Sequence, residues 1–330
     1  MRIGFIGLAL AALLGSSCVG DGMSNGTVAD LSAATANLPD TDILIGQLTS
    51  TGEGAISVVD IEKAVAGPGY QNQPAMLGPG QGRFYYVTEN VSGKTDIWVY
   101  DYNTGERIQL TDTPRKSEFS PKPAPGGRLS FIQESEDGTV TRVHTIDEIG
   151  EAGDAVIDFS PVGYYEWLDN GATLAVYYRS ATPALYLINV ADSDARRIFE
   201  GVGRSFQPSP DGTTLYASLA DKDGRHGLVQ VEAASGTVQS IIALPENAQD
   251  FRLIFGDDGS PAIVLSADGG RLLAFNFDGE QKWRVAADID AIGYGDISRI
   301  AVAMSWGETE NGETFLSYGP VVFVAQLKTD

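Results

Sequence analysis

GQGRFYYVTEN (80–90), GGRLSFIQES (126–135), NGATLAVYYRS (170–180), DGTTLYASLA (211–220) and DGSPAIVLSA (258–267) are five versions of one phrase, a tight turn followed by an apolar strand. A sixth version, NGETFLSYGPVVFVAQL, begins at Asn311. The turn glycines Gly82, Gly127, Gly171, Gly212, Gly259 and Gly312 stand 45, 44, 41, 47 and 53 residues apart. A period in the forties with four strands to each unit is that of a β-propeller blade. Glycine is expected in these turns because a two-residue hairpin turn demands positive φ, which Asn-Gly and Asp-Gly supply at least cost.

The rest of each unit lies on either side of the turn strand. After it comes a second hairpin, as in DIWVYDYNTGERIQLTD (96–112), ALYLINVADSDARRIFE (184–200), GLVQVEAASGTVQSIIAL (227–244) and LLAFNFDGEQKWRVA (272–286). Before it lies a shorter strand: NQPAML (72–77), EFSPKPAP (118–125), YYEWLD (164–169), SFQPSPD (205–211), DFRLIFGDD (250–258) and SRIAVAMSW (298–306). These shorter strands are expected innermost, where the blades converge on the channel. The fold expected is all-β, a six-bladed propeller of four-stranded antiparallel blades over residues 42–330. The piece DILIGQLTSTGEGAISVVD (42–60) reads as the outer hairpin of a blade without a turn strand of its own. The C-terminal copy has inner strands and then stops, so the two pieces are expected to form one blade and leave no open edge.

The first residues have the form of an export signal: Arg2, an apolar run from Ile3 to Leu14, then Gly15, Ser16 and Ser17 before the single cysteine, Cys18. The run is too short and too weakly flanked to read as a membrane span. The stretch LLGSSCVG resembles the lipobox of bacterial lipoproteins, with Gly15 where that family carries a bulky aliphatic residue. The resemblance implies an acyl anchor on Cys18, and Val19 in place of an inner-membrane retention aspartate implies the outer membrane. Ordinary signal cleavage leaving a free thiol is the alternative. Residues 1–17 are thus expected as the signal and 18–41, rich in Ser, Ala, Gly and Asn, as a tether.

An exported domain with one cysteine has no internal disulfide to lean on, so its stability must come from a core distributed over repeats. Thirty-nine glycines and 15 prolines, with no long helical pattern, suit an all-β chain. The formal net charge of −22 opposes nucleic acid and anionic lipid as partners, since every phosphate contact would be made against the mean field.

The run RIQLTDTPRKSEFSPKPAPGGRLSFI (107–132), with QPSPDGTTLYAS (207–218), is similar to the TolB-type WD-repeat-like propeller, whose blades pass through Leu-Thr, Ser-Pro and Pro-Asp-Gly into an apolar strand. The resemblance covers roughly residues 42–330. TolB carries an α/β domain ahead of its propeller, where only a short tether is read here, so the closer likeness is to stand-alone periplasmic TolB-like proteins. It implies a binding or scaffold role and names no ligand. Peptidases with such blades need a Gly-x-Ser-x-Gly elbow, which does not occur.

Little else in the sequence carries chemistry. His144, on an expected strand, and His226, in an expected loop from Lys222 to Gly227, lie in no metal-ligand spacing and read as exposed polar residues. Paired acids such as Asp257-Asp258 and Asp221-Asp223 fall in turns, where Asp bonds its own backbone. No cofactor or metal is expected. The most informative set is the residues at or before the start of each inner strand, which repeat symmetry must arrange around one mouth of the channel. They are Gln73, Glu118 with Ser120, Tyr165 with Glu166, Arg204 with Gln207, Asp250 with Arg252, and Ser298 with Arg299. Singly, each suits a hydrogen bond between blades. Together they suit a binding site, and Arg204, Arg252 and Arg299 an anion site unless Glu118, Glu166 and Asp250 neutralise them. The leading functional reading is a protein or peptide interaction module, partner unknown; the alternative is a carbohydrate or small-metabolite binder, or a lyase, using the channel.

Overall fold

The chain's first strands belong to the same sheet as its last. β1 (Thr41–Thr51) and β2 (Ala55–Val65) form one four-stranded sheet with β23 (Tyr294–Glu308) and β24 (Thr314–Leu327), in the order β2-β1-β24-β23. The computed structural model describes residues 38–328 except 52–54, 79, 147–151 and 309–313. The expected signal, Cys18, the tether through residue 37 and the sixth turn at Asn311–Gly312 lie outside the described residues.

The remaining strands form five antiparallel blades in chain order. Blade 1 holds β3 (Gln71–Met76), β4 (Arg83–Glu89), β5 (Thr95–Asp101) and β6 (Arg107–Gln109), and blade 2 β7 (Ser117–Pro123), β8 (Leu129–Glu134), β9 (Thr141–Ile146) and β10 (Ala152–Ala155). Blade 3 holds β11 (Val162–Leu168), β12 (Thr173–Tyr178), β13 (Ala184–Asn189) and β14 (Ala195–Glu200), and blade 4 β15 (Val202–Pro208), β16 (Thr214–Ala220), β17 (His226–Glu232) and β18 (Val238–Ala243). Blade 5 holds β19 (Phe251–Phe255), β20 (Pro261–Asp268), β21 (Arg271–Asn276) and β22 (Trp283–Asp288), and the sheet shared by the two ends is blade 6. The all-β six-bladed propeller read from the sequence is the fold observed, with its first strand opening at Thr41.

The apolar core lies between blades. A strand sandwiched by neighbours on both faces cannot afford polar alternation, and β8 (LSFIQE) is buried at every position. Leu185 and Leu187 of blade 3 share a cluster with Leu215, Val229 and Val231 of blade 4. β1 serves two such clusters, Leu44 packing with the blade 5 residues Leu265 and Leu272 and Ile43 with the blade 1 residues Phe84 and Tyr86. A repeated hydroxyl adds a polar stitch: Thr41, Thr95 and Thr141 each open the third strand of a blade. Their Oγ1 atoms donate to the carbonyls of Gln71 (2.9 Å), Glu118 (2.8 Å) and Val162 (2.8 Å) in or beside the next inner strand. β1 thus occupies the place in blade 6 that β5 and β9 occupy in theirs.

Two local expectations are corrected. The turns do hold glycine at positive φ, as at Gly82 (67°) and Gly212 (73°), but they are longer than two residues. The Ser209 amide bonds the Thr214 carbonyl, leaving Pro210–Thr213 as a four-residue loop, because the Asp211 carboxylate gathers the Thr213 amide and the Ser209 and Thr213 hydroxyls. The histidines are half-buried rather than exposed. His144 stacks on Phe131 with Nδ1 3.0 Å from the Gly153 carbonyl, and His226 opens β17, where burial lowers its pKa.

Candidate functional site

All six inner strands contribute to one cavity on the propeller axis. Its volume is about 70 Å³, and its wall includes Gln73, Ser120, Tyr164, Arg204, Arg252 and Arg299, one from each blade. Three of these residues reach it through strained backbone. Gln73 (φ 54°), Ser120 (φ 51°) and Arg299 (φ 60°) sit in the left-handed region at irregularities of β3, β7 and β23. A non-glycine residue adopts that conformation at a cost, and a bulge re-aims the side chain it carries. Pro74 and Pro121 follow two of them; a residue without an N–H cannot continue a regular ladder.

The electrostatic centre is Asp250, buried just ahead of β19. Arg204 donates to its Oδ2 through Nε (3.1 Å) and Nη2 (3.0 Å), and Arg299 Nη1 reaches both oxygens at 3.0 and 3.1 Å. Burial by itself would raise this carboxyl; the two guanidiniums and their hydrogen bonds outweigh it and hold the pKa at about 2. Asp250 in turn raises Arg299 despite its burial. Arg299 Nη2 also donates to the Tyr164 hydroxyl (2.8 Å), its guanidinium 5.1 Å from that ring's centre. On the other side Lys122 Nζ pairs with Glu166 at 2.8 Å. Arg252 differs from the other cations. It donates one long bond to the Phe206 carbonyl (3.4 Å) and has no carboxylate within ion-pair distance among the described residues, and burial lowers its pKa.

Seven of the eleven residues singled out in the sequence line the cavity: Gln73, Ser120, Tyr165, Arg204, Asp250, Arg252 and Arg299. Several are also held structurally. The Gln73 Oε1 accepts from the Ser120 amide and hydroxyl, and the Tyr165 hydroxyl donates to Ser130 Oγ at 2.8 Å. Glu118, Glu166, Gln207 and Ser298 are not on the wall. Glu118 is turned toward Thr113, Thr111 and Gln133, where burial pushes its pKa up to about 7, so it neutralises no arginine. Gln207 clamps blade 4 to blade 5 by bonding both the amide (2.7 Å) and the carbonyl (2.9 Å) of Leu253. Glu166 acts on the site through Lys122. Sequence reasoning missed Lys122 and Tyr164, whose neighbours Ser120 and Tyr165 it had chosen. Among the described residues no three His, Cys, Asp or Glu side chains gather as a metal set, and no helix is long and apolar enough to cross a membrane.

No family model and no curated protein matches the chain. Solved structures do. TolB from Acinetobacter baumannii aligns with a TM-score of 0.55 and 16% identity over 73% of this chain and 63% of its own. A protein assigned as TolB from Agrobacterium tumefaciens gives 0.60 and 12% over 89% of this chain and 100% of its own. The fold is that of the TolB propellers. At these identities the TolB likeness speaks for architecture alone, and the chain spans less than two thirds of the first relative. The gluconolactonase XC5397 from Xanthomonas campestris superposes on the same TolB-like propeller, with a TM-score of 0.51 and 14% identity over 88% of this chain and 97% of its own. The architecture therefore carries more than one kind of work.

Proposed function

We propose that this propeller is an interaction module that grips a small projecting part of a partner protein or peptide at its channel mouth. It works in the bacterial periplasm, held to the outer membrane through an acyl group on Cys18. The carrying observation is the cavity: about 70 Å³ against the 300 Å³ or more that pockets for whole sugars or metabolites occupy. Its carboxylates also argue for binding over catalysis. Asp250 and Glu166 are both engaged by cations, so neither stands ready as a general acid or base.

The reading is tested by placing a photo-cross-linking residue in cells at Asn247 or Arg115, exposed on loops that lead into inner strands β19 and β7, and at Gln239 on outer strand β18 as control. One adduct of the same mass from both mouth positions and none from Gln239 is expected. Equal labelling from all three sinks the proposal. In the same cells Cys18→Ser is expected to leave the membrane pellet; if it stays there, the anchor is wrong.

A further inference from the structure

We propose that the group received at the mouth is a free carboxylate at the end of a chain, a peptide C terminus, and that Arg252 is the guanidinium that receives it. The inference rests on the binding reading above and gives it a ligand chemistry.

Positive charge exceeds negative charge at the cavity. Lys122 is discharged by Glu166, whereas Arg204 and Arg299 must share the single carboxylate of Asp250. Among the described residues Arg252 has no carboxylate within ion-pair distance, though Glu166 and Asp250 act on it from further off. Four cations thus face two anions, in a chain whose net charge is −22. An anion entering here meets a local field opposite to that of the surrounding surface, which both attracts it and selects against acidic surfaces too broad to enter.

The available donors match two oxygens. A guanidinium offers paired N–H groups to the two oxygens of a carboxylate; Arg252 lines the cavity, and among the described residues its guanidinium makes one long bond, to the Phe206 carbonyl. Tyr164 supplies another donor. Its oxygen already accepts from Arg299, so its hydroxyl proton is left to turn toward an incoming acceptor. The role of Asp250 is then positional: it fixes Arg204 and Arg299 so that their residual positive charge frames the site without collapsing onto the ligand. The small volume favours a head group at a chain end over a ring or a branched sugar acid.

The test uses the full chain in equilibrium dialysis against a mixed-sequence tetrapeptide library with free C-terminal carboxyls, the same library amidated, and inorganic phosphate. Retention of members of the acid library alone is expected. Arg252→Gln should weaken that retention tenfold or more with the melting temperature moved little, since the side chain makes one long internal bond, and Arg252→Lys should recover part of it. The control variant Arg271→Gln, at the start of β21 and paired with Asp268 away from the cavity wall, should bind as the parent does. Equal retention of acid and amide libraries, or retention of phosphate alone, overturns the carboxylate assignment. So does an Arg252→Gln variant that binds unchanged. If both libraries fail while cross-linking still marks the mouth, this inference falls and the interaction reading stands.

Discussion

Asp250→Asn lowers the melting temperature by about 10 °C, the largest effect expected of any single polar substitution at the channel. The variant keeps the shape of the side chain and removes its charge, leaving Arg204 and Arg299 side by side with no anion between them. Removing one partner from a buried pair costs about 3–5 kcal/mol, because the remaining charge stays desolvated, and for a chain of this size each kcal/mol moves the midpoint by roughly 2–4 °C. The pH dependence has a definite sign. Asp250 is held at about 2 in the folded protein against an ordinary value of 3.8, so its contribution is complete above pH 4 and fades as pH falls from 4 towards 2. The Asn variant should lack that acid limb. Adding Arg204→Met should restore part of the stability, since it removes one of the stranded charges, and a double-mutant cycle measures the coupling. A variant that melts within two degrees of the parent and keeps the acid limb would mean that the two arginines do not depend on this carboxylate.

Deleting residues 41–65 should do more: the chain should fail to yield a soluble monomer. The deletion removes β1 and β2, exposes the edge of β24 over the seven pairs from Thr41↔Gln326 to Gln47↔Pro320, and uncovers the clusters on both sides of blade 6. Ile43, Leu44 and Ile45 alone represent roughly 1.5–3 kcal/mol each of apolar burial, a sum comparable with the 5–15 kcal/mol by which whole domains are stable. The long bare edge then templates association. A gentler variant asks the same question of the intact chain. At Gly46 an added Cβ would stand 2.6 Å from Val58 Cγ1 and 3.1 Å from the Val59 carbonyl, so Gly46→Val cannot be absorbed by swinging a flexible side chain. It should cost about 1–3 kcal/mol or more. A deletion variant that is monomeric and melts cooperatively at the parental temperature would show that the joint carries no stability.

The architecture was legible because it is written six times. A recurring turn phrase and a fixed spacing survive errors in any one copy, and the shared blade followed from one end lacking what the other supplied. The site was legible only in part, because each inner strand enters it by its own irregularity. In a regular strand Glu118 and Ser120 would face the same way; the irregularity at Ser120-Pro121 sends Ser120 and Lys122 to the channel and Glu118 into the blade interface. Ser298 and Arg299 are adjacent and alternate faces as in any strand, so only Arg299 of the two lines the cavity. The Gln-Pro and Ser-Pro dipeptides at 73–74 and 120–121 were the available warning, since proline interrupts a ladder. Nothing in the sequence could have revealed that Asp250 takes two arginines and leaves Arg252 without one. That depends on distances between strands more than forty residues apart.

The place of β1 also governs how the molecule bears tension. A pull on the chain ahead of Leu38, opposed by a load on the body of the propeller, runs along the axis of β1 and strains its ladders to β2 and β24 together, in shear. A pull between Thr41 and Gln326, which lie opposite one another, instead opens the same seam bond by bond from its end. One joint is therefore strong in the first direction and weak in the second, and single-molecule extension with handles in the two geometries should read two clearly separated rupture forces.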